Sequence, residues 1–316
     1  MAGALNQADG AGRQAAITAS RGTSMRIIVG IATTGRREVL SDTLAQIAGQ
    51  ARKPEAILIC PVQESDADWA YAATLDVPVR RVVGRAGSCA QRNAILDAAG
   101  EADIILFFDD DFLPAHSYVG AVEELFAGEL DVVVATGLVL ADGIHGPGLG
   151  ADEARAILAR DPGADAATIT PVENAYGCNM VFRMAAIRAA AARFDENLPL
   201  YGWQEDTDFS RQLAGQGRII LSTALRGVHR GSKRGRSSGL RLGYSQIANP
   251  FYLVGKGTLR RRRALRMAAG NVAANILGSL RPQGLIDRRG RLKGNCLALF
   301  DMFRGRLAPQ RILSFN

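Results

Sequence analysis

The chain has 316 residues, an apolar fraction of 47% and a formal charge of +7, which sets aside a disordered or collagenous chain and leaves one large globular domain or two. Its four cysteines, Cys60, Cys89, Cys178 and Cys296, stand far apart without a C-x-x-C pair, which argues against a disulfide framework or a zinc knuckle and for a reducing compartment. Charge is split unevenly: residues 226–316 carry 20 Lys/Arg against only Asp287 and Asp301, a net of +18, and residues 1–225 carry a net of −11.

Residues 1–24 are rich in Ala, Gly, Gln, Ser and Thr, lack the apolar stretch of a signal peptide, and read as a disordered leader with Met25 an alternative start. Arg26–Ala32 reads as a first strand, followed by Thr33-Thr34-Gly35-Arg36-Arg37 and a helix capped by Ser41. Ala56–Cys60 is a second strand stopped by Pro61. A loop with Glu64, Asp66 and Asp68 follows, and Val79–Val83 is a third strand. This alternation predicts an α/β, doubly wound and mostly parallel sheet of a nucleotide-binding type. Gly84–Leu96 then leads small residues into a helix and leaves backbone N–H groups open. With Arg85 and Arg92 nearby a diphosphate would suit it, although a plain glycine turn fits the same residues.

Ile104–Phe108 is an uninterrupted apolar run, the pattern of a strand covered on both faces. Asp109, Asp110 and Asp111 stand at its carboxyl end, where open α/β sheets bind ligands. Asp109 and Asp111 can converge on one hard divalent cation while Asp110 points elsewhere, and a cation relieves the repulsion between them. A solvated acidic turn is the plainer alternative. Beyond Pro114 the pattern predicts a helix to about Phe126, a strand over Asp131–Thr136, and a long connection, Leu138–Pro171, with a short helix at Asp152–Arg160. Such lengths go with functional loops or lids. A second acidic cluster, Glu205, Asp206 and Asp208, follows Tyr201 and Trp203.

Taken in order, Gly87…Arg92-Asn93, then Phe108-Asp109-Asp110-Asp111…Pro114, then Gly177-Cys178-Asn179-Met180-Val181-Phe182-Arg183 begin a pattern. Phe194-Asp195-Glu196…Trp203-Gln204-Glu205-Asp206-Thr207-Asp208-Phe209…Arg211…Gly217 and Val228-His229 complete it, and the set resembles glycosyltransferase family 2 over roughly residues 25–235. The resemblance implies a GT-A fold, a Rossmann-like doubly wound mixed sheet with a donor-binding part (25–115) and an acceptor and catalytic part (116–235). It also implies a nucleotide-sugar donor, Mn²⁺ or Mg²⁺ as cofactor, and inversion at the anomeric carbon. By correspondence Asp109, Asp111 and His229 are metal ligands and Asp206 is the catalytic base. Glu205, Trp203 and Asn179 are then sugar or acceptor contacts, Thr33, Arg36, Glu64, Arg92 and Asp110 nucleotide contacts, and Lys233 and Arg234 a loop over the diphosphate. Two positions depart from the family pattern: Gly35 stands where an aromatic is common, and Pro61-Val62-Gln63 separates the second strand from Glu64. Uridine is the favoured base.

Residues 236–316 read as a basic, mainly helical extension without an apolar run long enough to span a bilayer. Arg260–Arg263 next to amphipathic segments, including one over Leu292–Arg306, fits peripheral attachment to an anionic membrane from its cytoplasmic side; helices packed on the catalytic domain fit equally. The acceptor implied is a glycan or lipid-linked saccharide in exopolysaccharide or cell-envelope polysaccharide synthesis. Two other classes use similar features. A metal-dependent nucleotidyl- or phosphotransferase would not need the late Glu-Asp cluster, and a nucleic-acid-binding protein would show stacking aromatics, a helix-turn-helix or a zinc pattern, none of which the basic segment displays, so no nucleic-acid partner is expected.

Overall fold

The computed structural model describes residues 24–164, 166–233, 238–280 and 286–315; the expected leader up to residue 23, and Arg234, lie outside them. The strands are β1 Ile27–Thr33, β2 Ala56–Pro61, β3 Val79–Arg81, β4 Ile104–Phe108, β5 Phe112–Pro114, β6 Val132–Asp142, β7 Ile169–Pro171, β8 Asn179–Arg183 and β9 Arg218–His229. The helices are α1 Arg37–Ala48, α2 Trp69–Ala72, α3 Ser88–Ala98, α4 Tyr118–Gly128, α5 Ala151–Arg160, α6 Met184–Ala190, α7 Glu205–Gln212, α8 Gly239–Lys256, α9 Arg261–Leu280 and α10 Arg288–Phe303.

The strands form one sheet in the order β3-β2-β1-β4-β8-β6-β9-β5, with β7 also paired to β9. The β3-β2-β1-β4 half is parallel. Beyond β4 the sheet is mixed: β8 runs antiparallel to both β4 and β6, β9 parallel to β6, and β5 antiparallel to β9. Both faces are covered, which is why β1, β2 and β4 are apolar without a break: Ile28, Leu58 and Phe107 enter one core cluster, and Ile27, Ile57 and Phe108 the other. On the first face Phe194 and Phe209 stack at 4.0 Å between ring centroids, and Phe107 meets Phe194 edge-on at 5.3 Å. These contacts seat the segment that leads into α7 against the acidic strand β4.

Two local expectations are corrected. Helix α1 begins at Arg37, and Ser41 lies inside it, its hydroxyl donating to the Arg37 carbonyl at 3.0 Å instead of capping the first turn. Strand β6 continues well past Thr136 to Asp142, because residues 138–142 pair with Arg226–His229 of β9. The connection expected from Leu138 is therefore mostly strand and helix α5.

The basic extension is continuous with this core. Leu253, Leu259 and Ala264 belong to the same apolar cluster as Phe107 and Phe209. Tyr252 Oη and Lys256 Nζ both donate to Asp195, at 2.9 and 2.8 Å, and Lys256 reaches the fully buried Asp208 at 2.6 Å. Helices α9 and α10 pack in turn on α8. A Cβ at Gly243 would meet the Arg291 carbonyl, and one at Gly294 the Leu240 carbonyl, so glycine allows the α8 and α10 backbones to approach this closely. No helix among the described residues is long and apolar enough to cross a membrane.

Candidate active site and metal centre

Strand pairing assembles the first half of the site. Antiparallel β5–β9 register sets His229 beside Phe112, one residue after Asp111, while parallel β6–β9 register sets Asp142 on its other side. Ligand atoms of Asp109, Asp111 and His229 consequently lie within 4.8 Å of one another. His229 Nε2 faces Asp111 Oδ1 at 3.3 Å and Nδ1 meets Asp142 Oδ1 at 2.8 Å. Asp142 Oδ2 also accepts from Tyr176 Oη at 2.7 Å. Burial disfavours charge on His229, but the carboxylates of Asp111 and Asp142 beside it outweigh it and raise its pKa to about 10. The donor set fits a divalent cation. Asp111 Oδ1 is buried without a hydrogen-bond partner among the described residues, its other oxygen accepts from the Ser232 N–H at 2.7 Å, and Asp142 leaves Nε2 as the free ligand atom when the ring is neutral.

Asp206 stands across the same cleft. Its Oδ2 accepts from the Gly177 N–H at 3.1 Å and its Oδ1 from the Thr207 N–H at 2.6 Å, so two backbone donors fix the carboxylate. Gly177 lies two residues before β8, beside the acidic strand, where Asp109 N–H donates to the Cys178 carbonyl at 3.2 Å. Asp109, His229, Tyr201, Trp203, Glu205 and Asp206 together line one cavity of about 140 Å³. Burial raises the Asp206 pKa against the pull of those N–H groups and Arg92, a shift that favours proton acceptance.

Arg92 ties the two acidic groups together. It is 4% exposed, donates to Asp109 Oδ1 at 3.0 Å, and pairs closely with Glu205. Its charge works against the burial of both carboxylates without overcoming it, and both pKa values stay raised, that of Glu205 to about 7. Arg85, by contrast, is exposed and pairs with Glu196 at the surface. The loop 199–204 holds Tyr201 and Trp203 in the cleft with Leu200, Gly202 and Gln204 all at positive φ, 60°, 65° and 76°. Strain of this kind in non-glycine residues is typical of functional sites.

A second, larger cavity of about 340 Å³ adjoins Asp109 and is lined by Thr33, Arg36, Gln91, Arg92, Asp110 and, from α8, Arg241. Asp110 turns away from His229, accepting from Thr33 Oγ1 at 2.6 Å and Arg36 Nη1 at 2.7 Å. Thr33, Arg36, Arg92 and Asp110 thus share one concavity. Three expected contacts are not brought there. Glu64 lies on an exposed 3-10 turn and pairs with Arg81 at 3.2 Å; within the same turn Asp66 points inward and accepts from the Gly35 N–H at 2.8 Å. Asn179 is fully buried, its Oδ1 accepting from Thr136 Oγ1 and the Gly137 N–H, both at 2.7 Å, and it joins β8 to β6 without lining either cavity. Lys233 Nζ donates to the Gly143 and Ile144 carbonyls at 3.0 and 2.9 Å, pinning the chain after His229 to the end of β6. Asp142, Tyr176, Gln91 and Arg241 are site residues that the sequence did not point to.

No protein-family model matches the chain, and no curated protein matches it in sequence. Solved structures do match in fold. Mannosyltransferase PcManGT from Pyrobaculum calidifontis, in complex with GDP-Man and Mn²⁺, superposes with a TM-score of 0.53 at 16% identity over 92% of this chain and 85% of that one. S. aureus TarS gives 0.51 at 15% identity over 91% of this chain and 50% of TarS. GalNAc-T7 with UDP, GalNAc and Mn²⁺ gives 0.51 at 13% identity, over 72% of this chain and 51% of that one. The chain spans about half the length of the latter two. The fold is therefore of the GT-A type, the expected mixed α/β architecture.

Proposed function

We propose that the protein is a metal-dependent glycosyltransferase that moves a sugar from a nucleotide-sugar donor to an acceptor hydroxyl with inversion, in the manner of family 2. The observation that carries this reading is that Asp109, His229 and Asp206, far apart in the chain, line one cavity, beside Asp111, which joins Asp109 and His229 in the cation cluster. The neighbours of this fold solved with GDP-Man or UDP and with Mn²⁺ support the same reading.

Asp109, Asp111 and His229 would hold Mn²⁺ or Mg²⁺. When bound, the cation supplies Lewis-acid stabilisation of the departing diphosphate. Thr33, Arg36, Arg92 and Asp110 form the nucleotide side, with a uridine nucleotide as the favoured donor. Asp206 takes the proton from the acceptor hydroxyl as it attacks, while Glu205, Tyr201 and Trp203 bound the space for the sugar and the acceptor. The acceptor is a glycan or lipid-linked saccharide of a cell-envelope or exopolysaccharide pathway, met at the cytoplasmic face of the membrane.

The test is a panel of nucleotide sugars with Mn²⁺ or Mg²⁺, scored for slow donor hydrolysis and for transfer. D206N should lower transfer by about 10²–10⁴-fold, the range for loss of a general base, and leave nucleotide binding nearly unchanged. Parallel loss of binding and turnover would assign Asp206 a structural role, and cleavage without any sugar dependence would favour a nucleotidyltransferase instead.

A further inference from the structure

The large apolar side chains left exposed among the described residues are not scattered: nine of fourteen lie between Leu265 and Leu313. Helices α9 and α10 form an antiparallel pair. Gly278 lies against the Arg288 side chain, Asn275 Nδ2 donates to Asn295 Oδ1 at 2.8 Å, and Ala268 shares a cluster with Ala298 and Met302. Each helix turns its small and polar residues inward: Ala264, Ala268 and Asn275 on α9, and Gly294, Asn295, Ala298 and Asp301 on α10. Its bulky apolar residues face out. Leu265, Ile276 and Leu280 recur at helical spacing along the outer side of α9, as Leu297, Phe300 and Phe303 do along α10, and Phe303 is 91% exposed. A soluble surface normally places polar residues here.

The charge around this face has one sign. Arg261, Arg262 and Arg266 are exposed at one end of α9, and Arg289, Lys293 and Arg304 are exposed along α10. The acids of the two helices are absorbed elsewhere: Asp287 caps α10 by accepting from the Gly290 N–H at 2.7 Å, and Asp301 is buried, accepting from Tyr244 Oη at 2.8 Å. Two copies of such a face would repel each other. Nucleic acid would match the arginines and leave the leucines and phenylalanines in water. An anionic bilayer meets both, phosphate at the cationic rim and acyl chains under the rings.

We propose that the outer face of the α9–α10 pair is a membrane-docking surface for anionic lipid, with Phe300 and Phe303 inserted below the headgroups. Docking does not depend on which reaction the cleft performs. Its consequence for the cleft follows from α8, on which both helices pack: Asn249 of α8 donates to the Trp203 carbonyl at 2.8 Å and Thr258, just past its end, to Asp208 at 2.7 Å, so the helix that carries the lipid-facing pair also holds the acceptor side of the site.

Flotation of the full chain with vesicles of phosphatidylcholine, alone or mixed with phosphatidylglycerol, tests this. Binding is expected to the mixed vesicles only and to weaken with salt. F300S/F303S should reduce it by about tenfold or more, as expected for removing two inserted rings, with unchanged melting temperature and Mn²⁺ binding; R261Q/R262Q should reduce it too while keeping the apolar face. Absence of vesicle binding, full binding by F300S/F303S, equal binding to DNA that the serine variant retains, or a dimer that F300S/F303S splits would each overturn the proposal. Donor hydrolysis is read separately on the same variants, so a failure of docking and a failure of the glycosyltransferase reading are distinguishable.

Discussion

Asp142 touches no expected substrate, yet it sets which nitrogen of His229 is available. By accepting from Nδ1 it leaves Nε2 toward Asp111, and Tyr176 fixes the carboxylate in turn. Partners of this kind usually contribute 10–100-fold in metal affinity. D142N should therefore weaken Mn²⁺ binding by about that factor in calorimetric titration while the nucleotide still binds without metal; an unchanged affinity would mean that other contacts hold the ring. Residue-level legibility followed the same divide. Asp109 and Asp111 were readable because a strand end and a one-residue gap already define a two-carboxylate geometry. Asp142 was not, because its position depends on strand pairing that crosses three register shifts. Asn179 misled for a related reason: family correspondence implied a sugar or acceptor contact, but at the start of β8 its amide serves Thr136 and Gly137. Glu64 and Asp66 differ only in which side of a single 3-10 turn each occupies.

Among the elements, α8 carries the contact on which the α7 side of the cleft rests. Lys256 stands between Asp195 and Asp208, and Asp208 is fully buried. K256M removes the cation from a buried carboxylate and should lower stability by about 2–3 kcal/mol near neutral pH, less than for a dry pair because Lys256 keeps some water. The pH window has a defined sign. Burial opposes charge on Asp195, but Lys256, the Asn197 N–H and Tyr252 outweigh it and depress its pKa, so its contribution is present above the unfolded value of about 3.9 and is lost as pH falls through the folded one. The Lys256 pKa is raised despite burial, so its share is complete below about 10.4 and is lost as pH rises through the folded value. Urea titrations of both proteins across pH should show the gap between them close on the acid side; a gap that persists there would place the loss in packing. Helix periods and apolar runs made most elements legible, including β1, β2 and β4. The packing of α8 was not, since its inward face meets acids that lie about 50 to 60 residues earlier.

At the scale of the whole molecule, the acidic first part and the basic last part meet in one apolar cluster, in which Leu253 and Leu259 sit with Phe107 and Phe209. A single cooperative unit follows from that continuity. Thermal unfolding followed by fluorescence of Trp69 and Trp203, which lie outside the C-terminal helices, should coincide with the loss of helical circular dichroism; two separated transitions would show that the helices melt independently. Charge asymmetry, plain in the sequence, did not reveal this, because net charge describes surfaces and partners and says little about which apolar faces adjoin. The threading of β9 between β6 and β5 has one further implication. His229 reaches its place only after the final strand has slotted between two others laid down long before it in the chain. A divalent ion would therefore find no complete nest in a half-assembled chain and could not guide early steps; once bound it would act afterwards, as a latch on the finished sheet, slowing its opening while leaving the speed of its making alone.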